Sequence, residues 1–332
     1  MTGRWISLDR RNEVVEYIRY WQNRTGHKIK EMLDWLSLSS SKYYDWLHRQ
    51  EQANRHNAVL PKTNWLLAWE VAAIIAYRSH HLEEGYRRLC YMMLDENVVA
   101  VSPSSVYRIL QKAGLLATPW RHQQSKGSGF KQPLKPHQHW HLDVSYINFK
   151  GTFIYLVALL DGYSRYIVHY ELRYSVEALD IEILLERARL KYPGVTPILI
   201  TDNGPVFIAK EFKGYLQEVG ITHRRTRFFY PQSNGKVERL FETVKNEAVR
   251  RQSYINIEDL EKQIAEYVFY YNQCRLHSSV GYITPEDMLE GRQPIIFAER
   301  KAKLQAAREN RLRQRKQEEP LMIPSLGHLR YA

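Results

Sequence analysis

A change of period is the feature that most constrains this chain. From Trp140 to Leu172 apolar and polar residues alternate in successive runs, and beyond Val176 the apolar positions recur every three to four residues. Residues 140–149 read as a strand in which Leu142, Val144 and Tyr146 alternate with His141, Asp143 and Ser145. Lys150-Gly151 turns into a second, strongly apolar strand over 152–160, and Asp161-Gly162-Tyr163-Ser164 turns again into a third over 165–172. A helix over 176–192 follows, with Ile181, Leu184, Leu185 and Ala188 on one face. A buried strand over 197–201, a helix over 207–219, a short strand over 222–227, a polar loop over 228–235 and a long helix from Lys236 complete the pattern. Strands that first follow one another and then alternate with helices predict an α/β core, a mixed sheet flanked by helices.

The region before this core reads as helix. Val14, Val15, Ile18 and Trp21 recur at helical spacing, as do Met32, Trp35 and Leu36. Ser39–Ser41 supplies N-cap residues for the next helix, and Ser102-Pro103 opens another whose apolar stripe is Val106, Ile109 and Leu110. On the opposite side of that helix Arg108 and Lys112 lie four apart, the arrangement a DNA recognition helix requires. Short helices separated by polar turns predict helix-turn-helix units at 1–50 and 51–116. Trp65, Trp69, Ala72 and Ile75, at helical spacing, are expected to face a core.

Charge points the same way. The chain carries a formal net charge of +12, and no Asp or Glu occurs from Asn97 to Leu142. That stretch holds Arg108, Lys112, Arg121, Lys126, Lys131 and Lys135, and its part at 117–138 is rich in Pro, Gly and Gln, a linker composition. The core is expected over 139–295 and a basic tail over 296–332, where Lys301 to Lys316 holds seven basic residues against Glu309. Such an excess suits a polyanion partner, most simply nucleic acid. The two cysteines, Cys90 and Cys274, exclude a disulfide scaffold and a paired-cysteine zinc module. The longest apolar run, 153–160, is far shorter than the ~18–20 residues of a membrane span. Met1-Thr2-Gly3-Arg4-Trp5 has no apolar core of a secretory signal, so none is expected.

Three acids are placed where this fold brings chain ends together: Asp143 on the first strand, Asp202 after the fourth, and Glu238 in the first turns of the following long helix. Their hard oxygens suit Mg²⁺ or Mn²⁺, and two such ions serve phosphoryl transfer. Glu242 and Asp161 compete as third ligands, although Asp161 heads a turn that it is suited to cap. His137, His139 and His141 alternate, so on an extended chain they would face the same way as Asp143, a second candidate metal site beside the reading of a polar strand edge.

Taken together these residues resemble the DDE transposases of bacterial insertion sequences, relatives of the retroviral integrase catalytic core. The resemblance is carried by Trp140-His141-Leu142-Asp143, Thr201-Asp202-Asn203-Gly204 and Tyr230-Pro231-Gln232-Ser233-Asn234-Gly235-Lys236-Val237-Glu238-Arg239. The 35 residues between Asp202 and Glu238, Lys245 seven positions after Glu238, and the closing Tyr271-Asn272-Gln273-Cys274-Arg275-Leu276-His277 and Thr284-Pro285-Glu286 extend it. It implies an RNase H-like core in which Asp143, Asp202 and Glu238 are catalytic and hold two Mg²⁺ or Mn²⁺ ions, with no nucleotide cofactor. It implies metal-dependent cleavage at transposon ends and transfer of the 3′-OH into target DNA by a homo-oligomer assembled on double-stranded DNA in the bacterial cytoplasm, at the nucleoid. Lys236, Arg239 and Lys245, with Arg108 and Lys112, are the expected DNA contacts. A non-catalytic DNA-binding regulator descended from a transposase, or a nuclease on the same fold, is the alternative. Retroviral integrases carry a His/Cys zinc module before the core; this chain has helix-turn-helix units there instead.

Overall fold

The computed structural model describes residues 6, 8–50, 65–116, 132–226, 234–251 and 253–318. The start of the chain, most of the linker, the loop at 228–233 and the end of the tail therefore lie outside the described residues. The chain divides into two compact units, Met1–Trp65 and Leu66–Ala332.

In the first unit, α1 (Leu8–Thr25), α2 (Ile29–Trp35) and α3 (Ser40–His48) close on Val15, Ile18, Met32, Leu33, Leu38, Tyr43 and Trp46. Ser39 caps α3 through the Lys42 N–H, and the helix–turn–helix pattern read from the sequence is present.

The second unit opens with α4 (Ala68–His80), α5 (Tyr86–Asp95) and α6 (Pro103–Lys112), packed through Ile74, Leu89, Met93, Val106 and Leu110. Ser102 caps α6 with Pro103 following it, and Arg108 and Lys112 are exposed on its outer side. The expected core face of α4 is wrong. Trp65, Trp69, Ala72 and Ile75 are all exposed, and α4 instead buries Glu70, Ile74 and Arg78. The reason lies more than two hundred residues away. The segment read as the start of a basic tail forms α13 (Gln293–Glu318), and its Arg311 makes three contacts of 2.8–3.0 Å with the Glu70 carboxylate. Farther back on α13, Arg300 grips Asp95 at the end of α5 through two hydrogen bonds of 2.8 and 2.6 Å.

The core is a five-stranded sheet of order β3-β2-β1-β4-β5, built from β1 (His139–Phe149), β2 (Thr152–Asp161), β3 (Ile167–Arg173), β4 (Ile198–Thr201) and β5 (Thr222–Arg225). The first three strands are antiparallel, and β4 and β5 add in parallel beside β1, as the change of period requires. Alternation along β1 sends Trp140 and Leu142 into one apolar layer and Ile147 into the other. The first layer is covered by α7 (Ala178–Lys191), α8 (Pro205–Ile208) and α9 (Lys210–Glu218). The helix expected over 207–219 is broken, because Ala209 is extended (φ −53°, ψ 143°) and separates α8 from α9.

The second layer is covered by α10 (Gly235–Glu247) and α11 (Ile257–Gln273). Val237, Leu240, Phe241 and Val244 give α10 a buried stripe at helical spacing. Burial on this scale contributes roughly 1.5–3 kcal/mol per large side chain, and it sets which way the helix presents Glu238. The closing motif fastens this layer. The Asn272 side chain accepts from the Ile167 N–H and donates to the Ile167 carbonyl, and Arg275 donates two hydrogen bonds to Glu247 on α10. Thr284 caps α12 (Pro285–Leu289). Of the three tyrosines of α11, Tyr267 and Tyr271 are buried while Tyr270 is partly exposed.

Candidate active site

Asp143 and Asp202 are brought together by strand pairing. β1 and β4 run parallel with His141 opposite Ile200, and carrying that register two residues on sets Asp143 beside Asp202. Asp202 begins the turn between β4 and α8. Its Oδ1 accepts the Gly204 N–H at 2.8 Å, and the Asn203 amide reaches the Thr226 carbonyl at 2.8 Å. Glu238 arrives from the other side, on the exposed shoulder of the first turn of α10 beside the buried Val237.

The three acids act on one another electrostatically. Burial pushes the Asp143 carboxyl up to about 7; the Val144 N–H opposes the shift, and the charges of Asp202 and Glu238 add to it. Glu238 is raised by burial and then by Asp202. None of the three forms an ion pair with a cation among the described residues. As they stand, no three His, Cys, Asp or Glu side chains among the described residues are drawn tightly enough to form a ready ligand cluster. The donors nevertheless fit a divalent ion: three carboxylates, mutually repelling and unpaired, are a hard-oxygen set whose charge a cation would neutralise.

The competing acids separate cleanly. Asp161 is fully buried and spent: Oδ1 accepts from the His137 N–H, and Oδ2 from the Tyr163 and Ser164 N–H groups and the Ser164 hydroxyl. Glu242 is exposed one turn farther along α10. The three histidines do not line up as one set. His137 has φ 58° and lies before β1, where its Nδ1 accepts the Trp140 indole N–H. His139 and His141 are buried on the strand, and the His141 ring nitrogens and the side-chain polar atoms of the neighbouring Asn234 make no hydrogen bond of good geometry among the described residues.

The expected DNA contacts fall in three places. Lys236, at the second position of α10, donates to the Gly162 carbonyl at 2.8 Å, and burial and then Arg165 pull its ammonium down to about 7. Arg239 is exposed beside Glu238. Lys245 lies 4.9 Å from the Tyr146 ring centroid, a cation–π contact in place of an intrahelical pair with Glu242 or Glu247. Arg108 and Lys112 belong to α6. Sequence reading passed over Arg165, although it closes a turn in which Asp161 and Ser164 were already conspicuous. Gly162 in that turn is fixed by a close approach, because a Cβ there would stand 3.0 Å from the His141 ring.

Residues 133–231 match the integrase core domain family, and residues 219–285 match a second description of the same domain. The chain is similar to the transposase of insertion sequence IS904 of Lactococcus lactis subsp. lactis, 24% identical over 237 residues that cover 67% of this chain and 92% of the relative. It is similar to the putative transposase InsK of IS150 of Escherichia coli, 28% identical over 222 residues that cover 63% and 78% of the two chains. Among solved structures it is similar to the HTLV-2 integrase catalytic core domain in complex with magnesium, at 20% identity and a TM-score of 0.37 over 47% of this chain and 97% of that one. Residues 133–285 thus match the integrase core domain, and over most of its length the chain is similar to transposases of bacterial insertion sequences.

Proposed function

We propose that this chain cuts the ends of its insertion sequence and joins the freed 3′-OH ends to target DNA, with Asp143, Asp202 and Glu238 as the catalytic carboxylates. What supports this reading is the strand register that sets Asp143 beside Asp202 and the charge effects linking Asp143, Asp202 and Glu238, with Asp143 pushed up to about 7. Asp143, Asp202 and Glu238 would hold two Mg²⁺ or Mn²⁺ ions, which when bound supply an activated attacking oxygen and a neutralised leaving oxygen. The rest is positioning by the chain. β1 and β4 fix two carboxylates by strand register, and the buried stripe of α10 aims the third. In the first step water displaces the 3′ oxygen from a phosphodiester. In the second the resulting 3′-OH displaces a target oxygen, one P–O bond forming as another breaks, so no nucleotide is consumed. The helical units at 1–50 and 51–116 read the ends, with Arg108 and Lys112 on α6 among the contacts, and the basic linker at 117–138 adds phosphate contacts that position DNA without reading it. Lys236, Arg239 and Lys245 contact DNA beside the carboxylates. The protein works as a homo-oligomer on DNA, at the nucleoid of a bacterial cytoplasm.

A labelled duplex from the terminal repeats flanking the gene tests this reading. With Mg²⁺ the wild type nicks it and joins it to a second duplex. Asp143→Asn, Asp202→Asn and Glu238→Gln retain binding but lose both steps by about 10³-fold or more, since several kcal/mol of transition-state stabilisation is removed. Nicking without joining would make the chain a nuclease; binding without nicking would make it a regulator; either overturns the proposal.

A further inference from the structure

Two cations meet on one oxygen at the start of the helix that carries Glu238. Arg165 Nη1 donates to the Gly162 carbonyl at 2.9 Å, and Lys236 Nζ donates to the same oxygen at 2.8 Å. Their charged nitrogens are therefore no farther apart than the sum of those two lengths. Neither forms an ion pair among the described residues. Asp161, the acid of this turn, has both oxygens engaged, Oδ1 by the His137 N–H and Oδ2 by the turn itself.

The turn is built to present Arg165. Its φ of 69° lies in the left-handed region where glycine is the low-cost residue, yet an arginine stands there. The conformation is imposed by Asp161, which collects the Tyr163 and Ser164 N–H groups, and by the Arg165 N–H donating to the Asp161 carbonyl at 3.0 Å. The guanidinium is then aimed from a second direction: Nε donates to Ser279 Oγ at 3.1 Å, and Ser279 Oγ lies 2.9 Å from His277 Nδ1. Nη2 is left without a hydrogen-bond partner among the described residues. The whole turn is pressed onto the strand that carries Asp143, because the His141 ring occupies the space a side chain at 162 would need.

We propose that Arg165 and Lys236 together grip one backbone phosphate of the DNA strand presented to Asp143, Asp202 and Glu238. This rests on the reading of the chain as an enzyme that cuts and joins DNA. An acidic centre repels the phosphodiester it must act on, and an adjacent pair of cations offsets that repulsion and fixes the strand. The planar fork of Arg165 supplies geometry and a permanent charge, and Lys236 Nζ supplies a second donor at the start of α10, where the helix dipole also favours an anion.

The test measures affinity for a terminal-repeat duplex against salt concentration, with Ca²⁺ in place of Mg²⁺ so that no bond is cut. Arg165→Gln and Lys236→Gln should each weaken binding about tenfold and lower the slope of log K against log salt by about one counterion. Because both residues hold the same phosphate, the double variant should lower the slope by no more than either single one. Arg165→Lys should keep the wild-type slope. Thermal melting of each variant controls for folding, and Lys236→Gln, on a separate element, keeps the test informative where Arg165 variants melt early. Parallel slopes for wild type and both single variants, or slope losses that add in the double variant, overturn the shared phosphate site while leaving the transposase reading intact. A wild type that does not bind the duplex overturns both.

Discussion

Glu70 and Glu247 are each enclosed with an arginine, whereas Asp143, Asp202 and Glu238 stand near basic residues and pair with none among the described residues. Glu70 is 3% exposed and faces an Arg311 that also donates to the Ala100 carbonyl at 2.6 Å. Glu247 takes two hydrogen bonds from Arg275 and a third from the Tyr267 hydroxyl at 2.8 Å. In these places charge is spent on holding helices together across long separations in sequence. In the other place three like charges are left to repel, with Lys236 turned to a backbone carbonyl and Lys245 to an aromatic ring. Charge that folding does not neutralise is charge available to a ligand.

The comparison breaks most visibly at Glu70. Removing one partner of a buried pair leaves the other uncompensated, so Glu70→Ala or Arg311→Ala should each cost about 3–5 kcal/mol by urea unfolding. The double change Glu70→Met/Arg311→Met should recover most of that loss, because a packed apolar pair avoids the desolvation of two ions. A single variant as stable as wild type would mean that α13 is not held by this pair.

A smaller effect is expected at Glu247, and it carries a pH signature. Burial alone would raise this carboxyl, but hydrogen bonds and charge from Arg275, with the Tyr267 hydroxyl, hold it below its ordinary value. A carboxyl whose folded pKa is depressed contributes stability that is present above the unfolded value and is lost as pH falls through the folded one. Glu247→Gln should therefore be less stable than wild type by about 2 kcal/mol at pH 7, with the two converging below pH ~4. A gap that persists unchanged at pH 3 would assign the loss to packing instead.

How much of this was legible in the sequence follows from the range of the interactions. The sheet was legible because alternation is local: β1, β2 and β3 announce themselves within ten residues each, and Ser39 and Ser102 cap the helices they precede. The position of Asp143 beside Asp202 followed from the strand pattern together with the family resemblance. The pairing of α13 with α4 was not legible, since nothing around Glu70 signals that an arginine at 311 will neutralise it. Without that partner, the two tryptophans at 65 and 69 are the natural choice for a buried face. Arg165 was missed for a related reason. Its left-handed backbone is imposed by the hydrogen bonds of Asp161, and its aim is set by Ser279, which lies 114 residues on.

The central claim, that Asp143, Asp202 and Glu238 are kept unpaired to receive a divalent ion, is tested most directly by thermal melting with and without Mg²⁺ at pH 6 and pH 8, for wild type and Asp143→Asn. The Asp143 carboxyl is pushed up to about 7 when folded and ionises near 3.8 when exposed, so between those values the folded protein keeps a proton that the unfolded chain releases. Metal-free wild type should accordingly lose stability as pH rises through that window, and Mg²⁺, which needs the ionised carboxylate, should raise Tm more at pH 8 than at pH 6. Asp143→Asn should melt at or above the metal-free wild type at pH 8 and should gain little from Mg²⁺. An equal gain in the variant, or no gain in the wild type at either pH, would contradict the claim.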